Sequence, residues 1–232
     1  MIPLRDELPF RSKPYLTVSL IAVNILVFLY QMSLGLDGMR TFVAGLGAIP
    51  AVITGQPGVS IVQPVPAYLT MITSMFLHGG LMHLGGNMLF LWIFGNNVED
   101  VMGRGRFLIF YLVCGVAAAL GHIILQPASQ VPMVGASGAI SGVLGAYLIM
   151  FPRSRIVTLL FFFFVIQVVK VPALFFLGFW IILQFISGTL SLGMQGQGGV
   201  AWFAHVGGFL AGVTLVFPFR REERLRWYRQ FS

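Results

Sequence analysis

The stretch GASGAISG, Gly135 to Gly142, decides how this chain is read. It puts three glycines and two serines into eight residues, inside a run that is otherwise apolar from Val134 to Phe151. Leucine would be the safer residue in a membrane helix, so small and polar residues there must serve close packing or chemistry. The rest of the chain establishes the membrane. Of its 232 residues, 57% are hydrophobic and 9% charged, and the mean hydropathy is +0.90. A soluble domain carries roughly 25% charged residues. This chain cannot clothe itself in a solvated surface, and it reads as a single-domain integral membrane protein. The lone cysteine, Cys114, excludes an internal disulfide and a thiolate metal cluster. No cleavable signal peptide is expected, because the first apolar run starts only near Leu16 and no small-residue cleavage site follows it.

Crossing ~30 Å of hydrocarbon takes about 20 apolar residues in a helix. Spans are expected at Tyr15–Leu34, Phe107–Leu125, Val134–Phe151, Val171–Leu190 and Val200–Phe219. A further span at Met82–Val98 is diluted by His83, Gly85, Gly86 and Asn87. The run Ile156–Val169 is too short to span as a helix. It is expected to be interfacial or re-entrant, with Phe161–Phe164 embedded at the interface. Charge supports this count. With six spans and both termini inside, 13 of the 14 basic residues are cytoplasmic: Arg5, Arg11, Lys13, Arg104, Arg106, Arg153, Arg155, Lys170 and the tail arginines from Arg220 to Arg229. Only Arg40 falls outside. The net charge of +7 is thus sorted by membrane side, and no nucleic-acid partner is expected.

The expected fold is all-α and polytopic, a bundle of six transmembrane helices with both termini cytoplasmic. Residues 1–14 would form a cytoplasmic N-terminal segment, 15–219 the membrane domain and 220–232 a basic cytoplasmic tail. Asp37–Thr70, with Pro50, Pro57, Pro64 and Pro66, reads as a structured outer loop rather than a continuous helix. Gly188–Gly199 reads as a flexible outer loop ahead of the last span.

Polar groups within a membrane are costly and point to function. In this topology three segments begin at the outer surface: span two near His83 and Asn87, span four near Ser137, span six near His205. All bring polar side chains to one depth. His83 and Asn87, four residues apart, share a helix face. Ser137 with His205 makes a hydroxyl and an imidazole base, the parts of nucleophilic catalysis. No carboxylate lies at that depth: Asp6, Glu7, Glu99, Asp100, Glu222 and Glu223 are inside, and Asp37 is in an outer loop. A serine enzyme built here runs on a dyad, with packing in place of the orienting acid. The glycines supply close approach, since Gly138 and Gly142 on span four and Gly208 and Gly212 on span six are small-xxx-small pairs. Gly208 and Gly212 also share the His205 face. Donors for an oxyanion are at hand in the N–H groups at the start of the Ser137 helix and in the side chains of Asn87 and His83.

These elements resemble the rhomboid intramembrane serine proteases. The matching stretches are HGGLMHLGGN (His78–Asn87), GASG (Gly135–Gly138) and AHVGGFLAG (Ala204–Gly212). The cytoplasmic turns NNVEDVMGRGRF (Asn96–Phe107) and FPRSRI (Phe151–Ile156) are similar as well. The resemblance implies Ser137 as nucleophile, His205 as general base, and His83 and Asn87 as oxyanion donors. It also implies a six-helix core open to water on its outer side, transmembrane proteins as substrates and no cofactor or metal. A prokaryotic cytoplasmic membrane is the expected location. Two positions depart from the family: Ser141 stands where many members carry a tyrosine, and Leu69-Thr70 where they often carry Trp-Arg.

Plainer readings run alongside. Ser137 could ease helix packing, His83 and Asn87 could bond between helices, and Ser141 could bond back to a carbonyl one turn earlier. A metal site would draw on His78, His83, His122 and His205, but no acid completes the set and no H-E-x-x-H occurs. A rhomboid-like pseudoprotease or a polytopic transporter would use the same polar positions without hydrolysis. The GxSxG elbow of soluble hydrolases is excluded by Ala139.

Overall fold

The computed structural model describes residues 1–9, 11–59, 61–162, 165–191 and 201–231. The apolar runs fold as helices: α1 (Tyr15–Ser33), α5 (Leu81–Met102), α6 (Arg104–Leu125), α7 (Ser137–Met150), α8 (Ala173–Ser191) and α9 (Trp202–Phe219). Between α1 and α5 lie α2 (Gly35–Leu46), α3 (Pro50–Ile53) and α4 (Thr70–Thr73), the last flanked by short 3-10 turns, and α10 (Glu222–Tyr228) closes the chain. Among the described residues four helices, α1, α6, α8 and α9, are long and apolar enough to cross a membrane, which marks an integral membrane protein.

The helices differ in how they use their hydrophobicity. Nearly the whole of α7, from Ala139 to Tyr147, is buried, whereas α8 turns Phe175, Phe179, Ile182 and Phe185 outward. A helix apolar on every side belongs inside a bundle or against lipid. Here α7 takes the first place, packed by α5, α6 and α9, and α8 the second. Only 14 residues long, α7 is the shortest of the six, and it stops at Phe151 ahead of Pro152.

An all-α fold was the expectation, and the structure corrects it. Ile156–Val169, expected not to span, belongs to a β-hairpin of β2 (Arg155–Phe162) and β3 (Val165–Pro172), where no strand was expected. The N-terminal strand β1 (Ile2–Asp6) pairs antiparallel with β2, giving the order β1-β2-β3. The reason is local: Ile156, Val157, Thr158, Val165, Ile166, Val168 and Val169 are β-branched and suit a pleated surface better than a helix. Of Phe161–Phe164, only the Phe161 side chain is described, and it is exposed. The segment Asp37–Thr70 is a set of short elements as expected, but it begins on the twelve-residue α2. The proposed flexible loop at Gly188–Gly199 starts inside α8, and its remainder, from 192 on, lies outside the described residues.

Carboxylates at one end of the bundle act as clamps. Glu99, near the end of α5, accepts hydrogen bonds from the Leu16 and Thr17 amides at 3.0 and 2.7 Å and from the Thr17 hydroxyl at 2.7 Å. It therefore satisfies the free N–H groups that open α1. Asp100 accepts from the Arg11 amide, the Ser12 hydroxyl and the Tyr228 hydroxyl at 2.8, 2.6 and 2.6 Å. The N-terminal segment and α10 are both tied to α5 in this way. At the far end of α7, the Tyr147 hydroxyl donates to Asp6 at 2.7 Å. Burial pushes the Asp6 carboxyl up to about 6, and the tyrosine bond holds it back from rising further.

Candidate active site

The site is assembled where α7 and α9 touch without side chains between them. A Cβ built on Gly208 would lie 2.1 Å from the carbonyl oxygen of Gly138, and one on Gly212 would lie 2.0 Å from that of Gly142. Gly142 is also pressed against Cys114 of α6, and Gly138 against Ala118. Side chains at these positions would have to push backbone aside. Gly212→Ala should therefore cost about 1–3 kcal/mol of stability. Gly178 on α8 has open space around its missing side chain, so Gly178→Ala provides the control in thermal unfolding in detergent. Equal melting temperatures for the two variants would refute the close contact.

This approach carries His205, one turn before Gly208, to the first residue of α7. His205 Nε2 lies 2.8 Å from Ser137 Oγ. The other ring nitrogen, Nδ1, lies 2.7 Å from Oε1 of Gln184 on α8. His205 is buried, and its ring is flanked by Trp180 at 5.9 Å and by Trp202, edge-on, at 6.1 Å. Gln184, Trp180 and Trp202 were not assigned roles from the sequence. Gln184 sits in an otherwise apolar helix, and a buried amide there was the available signal.

Facing this pair is the start of α5. Gly135 adopts φ +119°, a backbone conformation natural to glycine. A Cβ at Gly135 would lie 2.7 Å from His83 Cε1 and 3.4 Å from Asn87 Nδ2. Glycine thus lets the chain before Ser137 lie directly against both side chains. The Asn87 amide nitrogen is buried and has no hydrogen-bond partner among the described residues. His83 Nδ1 accepts from the Gly79 amide at 3.4 Å, which leaves the ring proton on Nε2, the atom next to Gly135. Both side chains therefore lie against Gly135, two residues before Ser137 and the opening N–H groups of α7.

Other positions have simpler places. Ser141 donates its hydroxyl to the Ser137 carbonyl at 2.6 Å. It cannot stack on His205, and the two tryptophans lie against that ring instead. Leu69 ends a 3-10 turn and Thr70 is buried at the start of α4. His78 is buried, its ring 5.2 Å from His83, while its backbone exchanges two hydrogen bonds with the Gln31 side chain. His122 is buried on α6. Among the described residues no group of three His, Cys, Asp or Glu side chains is arranged to hold a metal ion. A cavity of about 40 Å³ reaches Ser137, lined by Met71, Met75, Met133, Gly115 and Ala118 among others. It has room for a small side chain.

The sequence is similar to those of known proteins. Residues 66–222 match the family model of the Rhomboid domain. The chain is 36% identical over 138 residues to "Rhomboid protease GluP" of Bacillus subtilis, covering 59% of this chain and 25% of that protein. It is 30% identical over 154 residues to "Rhomboid protein 1, mitochondrial" of Saccharomyces cerevisiae, covering 64% and 41%. It is 32% identical over 133 residues to "Putative rhomboid protease YdcA" of Bacillus subtilis, covering 52% and 66%. The matched part is thus less than two thirds of each relative's own length.

Proposed function

The chain belongs to the rhomboid family, and from that premise we propose that it is an intramembrane serine endopeptidase acting through Ser137 and His205. The observation that carries the reading is the 2.8 Å contact between Ser137 Oγ and His205 Nε2, with the buried Asn87 amide nitrogen, unpartnered among the described residues, next to Gly135. In the proposed reaction, Ser137 Oγ attacks the scissile carbonyl carbon and its proton passes to His205 Nε2. The negative charge formed on the carbonyl oxygen is met by Asn87 Nδ2, by the His83 Nε2 proton and by the Ser137 N–H. As the C–N bond breaks, His205 returns the proton to the departing amine and an acyl-enzyme remains. Water, deprotonated by His205, then releases the second product and regenerates Ser137. No step calls for a metal or a cofactor.

The proposed arrangement in the bilayer has six spans, α1 and α5 to α9, with both termini cytoplasmic. Residues 1–14 and 220–232 flank the membrane domain on that side, and the membrane of residence is a prokaryotic cytoplasmic one. The 13 basic residues assigned to one side support this. Ser137 then lies near the outer surface, where water can enter. Substrates are transmembrane proteins. A scissile bond inside a helix is shielded, so the substrate has to unwind locally, and helix breakers near the outer end of its span ease that step. The small cavity beside Ser137 favours a small side chain at the bond. An unreactive relative that binds membrane clients is the second reading, and the intact contact between Ser137 and His205 speaks against it.

A fluorophosphonate probe tests the proposal. Purified protein in detergent is expected to take up one phosphonyl group, mapped by mass spectrometry to the peptide containing Ser137. Protein that stays unmodified while remaining folded would select the unreactive reading.

A further inference from the structure

We propose that Gln184 is a positioning residue for His205, a neutral amide standing where soluble serine enzymes use a carboxylate. The inference rests on the Ser137–His205 reading above and adds a residue to it. The geometry defines who donates. Gln184 Nε2 donates to the Trp180 carbonyl at 3.3 Å, and a carbonyl can only accept. That fixes the amide so that its oxygen, Oε1, faces His205 Nδ1 at 2.7 Å. An amide oxygen accepts and never donates, so Nδ1 must carry the ring proton. Nε2 is then left with its lone pair toward Ser137 Oγ at 2.8 Å, the tautomer a general base requires.

The choice of glutamine has a physical reason. Gln184 is buried within an apolar helix. A carboxylate there would lose its solvation in a low-dielectric interior, opposite an imidazole that is neutral at rest. An amide satisfies both of its ends, one on the helix backbone and one on the imidazole, and remains neutral. When His205 gains the proton from Ser137, the amide dipole already points its oxygen at the Nδ1–H. Trp180 and Trp202 hold the ring by contact, but rings in contact can rotate, and only a directed bond selects the tautomer.

Three proteins decide it: wild type, Gln184→Leu and Gln184→Glu, each assayed for melting temperature, for fluorophosphonate labelling at Ser137 and for kcat and KM on a transmembrane substrate. Leucine keeps the size and removes the acceptor. It should lower kcat and the labelling rate by on the order of 10- to 100-fold, the effect of losing one hydrogen bond to a group that becomes charged. KM should stay near wild type, and the melting temperature should fall only modestly, because the buried Nδ1–H loses its acceptor. Glutamate restores the acceptor and should recover most of the rate despite being the worse residue for packing. A merely structural glutamine gives the reverse order, with leucine tolerated, glutamate damaging, and rates tracking stability. Wild-type labelling together with unchanged labelling of Gln184→Leu overturns this inference alone. Wild type that is not labelled at all overturns the Ser137–His205 reading and this inference with it.

Discussion

Ser137→Ala and His205→Ala are each expected to reduce cleavage of a transmembrane substrate to the level seen without enzyme. In soluble serine proteases, loss of the nucleophile or the base costs on the order of 10⁶ in kcat, so no residual turnover should be measurable above background. Among the described residues, the nearby hydroxyls and the thiol cannot substitute. The Ser141 hydroxyl is committed to the Ser137 carbonyl. The Ser74 hydroxyl is turned back to the Met71 carbonyl at 3.3 Å. Cys114 is buried against Gly142 and is not presented to the cavity. Ser137→Ala removes one oxygen from a half-buried position, so the melting temperature should change little. His205→Ala leaves a hole between Trp180 and Trp202 and should cost some stability as well. The measurement is product formation by purified protein, with the melting temperature recorded on the same samples. Wild-type-like cleavage by folded Ser137→Ala would end the assignment of Ser137 as nucleophile.

The second large effect is expected at Asn87. Asn87→Ala should lower kcat by about 10²–10³ while leaving KM nearly unchanged, because an oxyanion donor acts mainly in the transition state. Stability should respond differently. Its buried amide nitrogen has no partner among the described residues, and a buried unpaired donor costs roughly 1–3 kcal/mol. Removing it should therefore leave the melting temperature unchanged or raise it. Lower rate with equal or greater stability marks a group held in readiness for the reaction. A rise in KM with kcat unchanged would instead make Asn87 a residue that positions substrate.

Much of this was legible along the chain, for identifiable reasons. The glycines at 138, 142, 208 and 212 recur at helical spacing, so their common faces follow from the period of the helix alone. Ser137 and His205 stood out because each is polar near the end of an apolar run, and alternating spans put those ends at one depth. The hairpin was misread for an equally clear reason. Length and hydropathy separate a span from a non-span, but they do not say whether a short apolar run pairs with another strand. The partner strand β1 lies about 150 residues away, and the register of Ile2 with Leu159 is a long-range fact. Glu99 and Asp100 were read only as cytoplasmic charges, yet they hold the start of α1 and the tail helix.

The sequence by itself therefore determined the solvent this protein lives in, the positions of its apolar helices and the identity of the polar side chains they can offer to one another. Those properties are sums over neighbouring residues, and neighbouring residues suffice to compute them. Which side chains meet was decided by tertiary structure alone. Gln184 and His205 are separated by 21 positions on different helices, and their 2.7 Å contact depends on how far α8 is rotated about its axis. Ser137 and His205 come within 2.8 Å only because α7 and α9 have no Cβ atoms where they cross. Rotation and approach are set by the packing of every helix at once, and a hydrogen bond tolerates errors of only a few tenths of an ångström in either.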